Sequence, residues 1–201
     1  MKIESDAIIR TTREYDKPDT RELARLSSIQ EGECYEWTPE GRKANNTRIE
    51  ELIGFSRKCN YKRLGLVFCI GLANEASVLT DILESKGFDI ISVCCKVGSL
   101  PKESIGITQA QKIGGADSRE CMCNPITQAE IMHSQNVDLA VMLGLCIGHD
   151  TLLIKHCKVP LTVLAVKDRV TGHNPLAPLY TAGSYYSRLL AKDTPSSDQD
   201  E

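Results

Sequence analysis

From Lys62 to Val166 the chain alternates short apolar runs with amphipathic stretches. Arg63 to Cys69 reads as a buried strand. Asn74 to Lys86 follows with Val78, Leu79, Ile82 and Leu83 on one helical face and Gly87 to close it. Phe88 to Val97 is a second strand, Val137 to Leu143 a third and Pro160 to Val166 a fourth. Between them, Asn124-Pro125 supplies a cap and a first-turn proline for a helix reaching Gln135, and His149 to His156 forms a short helix. Gly98 to Met122 is polar and glycine-containing, an irregular segment with one short helix after Pro101. A turn-rich loop, Asp168 to Pro178, leads to a last helix near Ser184 to Leu190.

Strands that alternate with helices make a parallel sheet covered on both faces. The expected fold class is therefore α/β, a three-layer Rossmann-like or flavodoxin-like sheet of about four parallel strands in the order 2-1-3-4, with right-handed crossovers. Ahead of it lies an N-terminal helical arm, residues 1–46. Its first twenty residues lack a clear period. Asp19 is placed to cap a helix from Thr20 to Gln30, and Gly32 to Asn46 reads as a loop. Asn46 then caps a helix from Thr47 to Cys59, which opens the α/β domain, residues 47–191. Residues 192–201 are polar and acidic and are expected to be disordered.

Composition sharpens this reading. Over 201 residues the net charge is −3 and aromatics are 5%, which leaves neither a basic groove nor a base-stacking platform for nucleic acid. No apolar run is long enough to span a membrane, and the charged N-terminus is no secretory signal. Nine cysteines, an odd number in a long chain, do not fit a secreted disulfide framework. They are expected to be reduced, in the cytoplasm, which turns attention to metal binding and thiol chemistry.

Four of them fall at the carboxyl ends of predicted strands or in the loops there: Cys69, Cys95, Cys123 and Cys146. Ligands of open α/β sheets bind at that edge, where strand order reverses. A lone free cysteine is commonly a small core hydrophobe. Four such positions at a single edge favour a shared site. Cys94 and Cys95 point to opposite faces, and Cys95 is nearer the edge. Cys123 is preferred over Cys121 because it abuts a helix start, where amides favour thiolate. Cys34, Cys59 and Cys157 lie elsewhere. Gly71, Gly98, Gly144 and Gly148, with Asn124, let the backbone approach a bound group. His149 and His173 are candidate proton carriers, with Asp168 and Arg169 beside the latter.

Soft sulfur ligands suit an iron–sulfur cluster, zinc or copper(I). Structural zinc usually shows paired Cys-x2-Cys knuckles, which this chain lacks, so a [4Fe–4S] cluster is favoured, with zinc as the alternative. Three thiolates would leave one iron open to a small substrate. A metal-free thiol redox protein, using a Cys94–Cys95 disulfide or a Cys69 nucleophile, is a second reading. A small-molecule binding module is a third, without a dinucleotide fingerprint or Walker-A loop to support it. A small-molecule substrate or a redox partner is implied, and no nucleic acid or membrane.

The segments Phe68-Cys69-Ile70-Gly71-Leu72, Val93-Cys94-Cys95-Lys96-Val97-Gly98, Met122-Cys123-Asn124-Pro125, Gly144-Leu145-Cys146-Ile147-Gly148-His149-Asp150 and Val166 to Pro175 resemble a family of uncharacterised predicted metal-binding proteins. That cysteine-rich family of unknown function occurs mainly in anaerobic bacteria and archaea. The resemblance spans Thr47 to Leu190 and implies cysteine-dependent metal binding in the cytoplasm, with Cys69, Cys95, Cys123 and Cys146 as recurring cysteines. Many relatives begin with a further cysteine cluster. The first 33 residues here contain none, so only the sheet-edge site carries the implication.

Overall fold

The computed structural model describes residues 5–192. The expected acidic tail lies almost wholly outside them. The chain runs through α1 (Ser5–Thr12), α2 (Pro18–Glu33), β1 (Tyr35–Thr38), β2 (Gly41–Ala44), α3 (Arg48–Lys58), β3 (Arg63–Phe68), α4 (Ala73–Ser85), β4 (Asp89–Cys94), α5 (Pro125–Ser134), β5 (Leu139–Leu143), α6 (Ile147–His156), β6 (Leu161–Ala165) and α7 (Ala177–Tyr180).

The main sheet is parallel, in the order β4-β3-β5-β6, with Phe68 facing Cys94 on one side and Leu143 on the other. This is the 2-1-3-4 order of a flavodoxin-like sheet. The two central strands are continuous apolar runs because helices cover both faces. Leu64, Leu66 and Val141 pack on one side with Leu52 and Ile53 of α3 and Leu79 and Leu83 of α4. Val67, Ala140 and Met142 pack on the other with Ala129 and Met132 of α5 and Leu153 of α6. Each such leucine taken out of water stabilises the fold by roughly 1.5–3 kcal/mol. Gly65 interrupts β3 for a steric reason: a methyl there would overlap the Met132 sulfur and touch Val137. The missing side chain lets α5 lie close to the sheet.

Helix starts differ in detail from expectation. Pro18 opens α2, and Lys17 before it makes no side-chain cap, so Asp19 sits within the first turn. Thr47 rather than Asn46 caps α3. Its hydroxyl accepts from Glu50 N while its own N–H donates to the Glu50 carboxylate, a reciprocal pair that holds the first turn. Helix α6 begins at Ile147, two residues before His149, directly after Cys146.

The first twenty residues, which lack a clear period, include α1 of the helical arm. Two expectations fail. The predicted loop from Gly32 to Asn46 contains an antiparallel hairpin, β1 with β2, in register from Tyr35–Ala44 to Thr38–Gly41. Its side chains are largely solvated, Trp37 being 82% exposed, so no apolar alternation announced it. The last helix is only a 3-10 turn, Ser187–Leu190, with α7 formed earlier, starting in the last two residues of the predicted loop. The arm nonetheless docks on the body. Buried Gln30 of α2 lies over Gly54 of α3, where a methyl would come within 2.5 Å of Gln30 Oε1, and Lys58 donates to that oxygen at 2.8 Å.

Candidate functional site

Each predicted cysteine reaches the carboxyl edge by a short backbone path. Cys69 follows β3, and its N–H donates to Gly144 O at 3.2 Å, tying the ends of β3 and β5 together. Gly144 has φ +57, and a methyl on it would lie 2.7 Å from Leu72 Cδ1. A side chain is thus excluded both by conformation and by space. Cys95 follows β4. Its N–H donates to Phe68 O and its carbonyl accepts from Asn124 N, both at 2.8 Å. Asn124 also caps α5, accepting from Thr127 N at 3.1 Å. One residue therefore joins the Cys95 turn to the helix that Cys123 precedes. Cys146 caps α6 with its carbonyl, which accepts from His149 N at 2.7 Å and Asp150 N at 2.9 Å.

These turns bring Cys69, Cys123, Cys146 and His149 to the wall of one cavity of about 360 Å³. Cys95 is buried just behind it: Ile70 N donates to its sulfur at 3.4 Å, and its thiol lies against the Cys123 sulfur. The thiol hydrogen of Cys95, followed by the charges of His149 and Lys96, holds the Cys123 thiol well below the ordinary thiol range. Its neighbour moves the opposite way. Contact with Cys123, with burial added, pushes the Cys95 thiol up. The pair is one acidic thiol and one that keeps its proton.

Cations serve the other two sulfurs. Lys167, two residues past β6, places Nζ 2.5 Å from Cys69 Sγ. Arg169 donates to Cys146 Sγ at 3.1 Å, and Cys146, then Cys69 and Cys123, raise the guanidinium pKa. Lys96 donates to Cys121 O at 2.6 Å and also lines the cavity. No described aspartate or glutamate lines it. Isoleucines and Met122 from the segment between β4 and α5 form the opposite wall. That segment is pinned by the Lys102–Glu120 and Lys112–Glu103 ion pairs and by a bridge between Pro101 and Cys121.

The remaining predicted residues have plainer settings. Gly71 sits where a methyl would meet Lys167 Nζ at 3.4 Å and Cys69 Sγ at 4.0 Å. Gly98 neighbours the Asn124 amide, and Gly148 faces open space. His173 does not line the cavity. Its Nδ1 accepts from Asp168 N at 3.1 Å inside its own turn, and Asp168 Oδ1 accepts from Val170 N and Thr171 N. Cys94 and Cys121 do not line it either. Sequence reasoning missed Lys96, Lys167 and the isoleucine wall. A lysine beside Cys95 and another beside Asp168 and Arg169 were the only signals, and lysine next to a loop is normally solvated.

A sequence profile described as a protein of unknown function, DUF1847, matches residues 1–164. The chain belongs to that family. An uncharacterized protein of Methanocaldococcus jannaschii, MJ0455, is 42% identical to it over 177 residues, 88% of this chain and 84% of that protein. The family match takes in every cysteine of the chain, whereas Lys167 and Arg169 lie just beyond its end. No helix among the described residues is long and apolar enough to cross a membrane.

Among the described residues no three His, Cys, Asp or Glu side chains converge on a position for a single metal ion. A lone zinc needs its thiolate sulfurs ~2.3 Å from one point, so these cysteines do not fit it as placed. Soft sulfurs suit a cluster by donor type, but a cluster takes each thiolate on its own iron, so the adjoining Cys95 and Cys123 sulfurs would have to separate for both to bind one.

Proposed function

We propose that the protein holds an iron–sulfur cluster at the carboxyl edge of its sheet through Cys69, Cys95, Cys123 and Cys146. The observation that carries this reading is the meeting of Cys69, Cys123 and Cys146 at one cavity whose cations favour thiolate, with Cys95 buried behind Cys123, the four drawn from three βα connections. A [4Fe–4S] cluster held there would supply one-electron chemistry or, were Cys95 to keep its proton, a binding position for a small substrate. The chain's own residues do the rest. Lys167 and Arg169 offset negative charge on the sulfurs, the isoleucine wall limits water, and His149 is placed to exchange a proton with a bound group.

Anaerobic purification with iron, sulfide and zinc assays tests this reading. It expects about four irons with matching sulfide and a broad visible absorbance. One zinc and no iron overturns the cluster in favour of a site the thiols rearrange to make. A metal-free protein overturns both. The contact between Cys95 and Cys123 favours one other reading, a dithiol that loses two electrons and two protons to an oxidant and closes a disulfide. Thiol counting before and after diamide treatment of the metal-free protein decides that case.

A further inference from the structure

We infer that the cysteine cavity binds a small organic anion, its charged head on Lys96, Lys167 and Arg169 and its apolar body against Ile105, Ile107 and Ile113. The inference deepens the cluster reading in one respect: thiolates bound to iron share their charge with the metal, which leaves Lys167 and Arg169 with less negative charge to offset, while Lys96, on the Cys121 carbonyl, meets no carboxylate. The remaining support is independent of metal. Lys96, Lys167 and Arg169 reach the cavity from two separate loops, after β4 and after β6, and no described carboxylate lines it. Lys102 is excluded from the head site because Glu120 holds it. A structural role for the three would place acidic side chains among them, as Glu103 is placed on Lys112.

The far wall supplies the second half. Ile105 and Ile113 are 60% and 90% exposed, yet both line the cavity. Branched apolar side chains turned to solvent around a charged cleft are the arrangement of a site that covers an apolar ligand and orients it by a few polar groups. A carboxylate or phosphate head would meet Arg169 as a forked donor and the lysines as point charges. A bare inorganic anion would leave the isoleucines without a role.

Calorimetric titration of the anaerobically purified full chain tests this, with hexanoate, its neutral amide hexanamide, acetate and inorganic phosphate as probes. Iron is assayed on the same sample. Hexanoate is expected to bind at least about tenfold more tightly than hexanamide or acetate, and R169Q to weaken hexanoate about tenfold or more while leaving hexanamide binding unaltered. Ile113→Ser, an exposed change that spares the fold, is expected to weaken hexanoate and leave acetate unaltered. Equal binding of hexanoate and hexanamide, binding of phosphate more tightly than hexanoate, or no binding by a folded, iron-loaded chain overturns the inference. An iron-free chain that still selects hexanoate retains it and rejects the cluster instead.

Discussion

The two ends of the same four strands are built from different chemistry. At the amino end, charges serve the backbone. Asp138 Oδ2 accepts from Lys62 N at 2.8 Å and Arg63 N at 2.9 Å, fixing the start of β3 beside β5. Arg63 pairs with Asp89 at 2.6 Å and donates to Gln135 O at 3.1 Å, which ties β4 and the end of α5 to the same point. Each of these charges meets an opposite charge or a peptide dipole. At the carboxyl end no described carboxylate lines the cleft, and Lys167 and Arg169 face sulfur. One end is closed on itself and the other is left with unmatched chemistry, the asymmetry that an open α/β sheet shows when it carries a site at its carboxyl edge.

Substitutions at the two ends separate the roles. The largest effect expected is on cofactor content. C69S combined with C146S removes the visible absorbance and iron altogether, while the thermal midpoint of the metal-free protein moves little because serine is close to cysteine in size and keeps a hydrogen-bond partner in Lys167 or Arg169. Asp138→Ala does the reverse. It leaves two backbone donors without their carboxylate, costing about 2–3 kcal/mol in urea unfolding with iron content intact. If D138A lost iron in the folded state, the two ends would not be independent.

A pH measurement probes the carboxyl end more finely. An ordinary thiol, with a pKa near ~8.5, loses about tenfold in alkylation rate for each pH unit below that value. The Cys123 pKa is lowered, so its thiolate persists and its rate with iodoacetamide stays level through neutrality in the metal-free protein. Cys95→Ala removes the largest cause, the neighbouring thiol hydrogen, and returns the fall in rate toward the ordinary range. A Cys123 that slows tenfold per unit from pH 8 in the unaltered chain would show that the thiol pair is not formed. The smallest effect belongs to the exposed Arg63–Asp89 pair. Asp89→Asn changes stability by at most about 1 kcal/mol, and less at high salt, as expected for charges that remain in water.

The sheet was legible because burial forces its strands into apolar runs. Leu139 to Leu143 is buried at every position, and no other element of that length accommodates such a run between two helices. Three of the cysteines were legible for a related reason, since Cys69, Cys95 and Cys146 stand where an apolar run gives way to a turn, and Cys123 was legible because it abuts a helix start. The hairpin of β1 and β2 was not, because strands solvated on both faces carry no alternation. The 3-10 turn at Ser187–Leu190 was misread as a helix for the opposite reason: apolar residues at helical spacing imply a buried face, but Leu189 and Leu190 are exposed, and so is Tyr185 beside them. Lys96 and Lys167 escaped notice because their roles depend on a fold that carries sequence positions 69 and 167 to within a hydrogen bond.

That dispersal along the chain bears on when the site exists. Cys69, Cys95, Cys123 and Cys146 come together only through pairing of β3 with both β4 and β5, so no short stretch of the growing polypeptide presents them. In a zinc finger the metal organises a chain that is unfolded without it. Here hydrophobic burial on both faces of the sheet is already enough to assemble the edge. Occupation of the site would therefore follow the completion of the fold, and a chain stalled before β5 would have nothing to load.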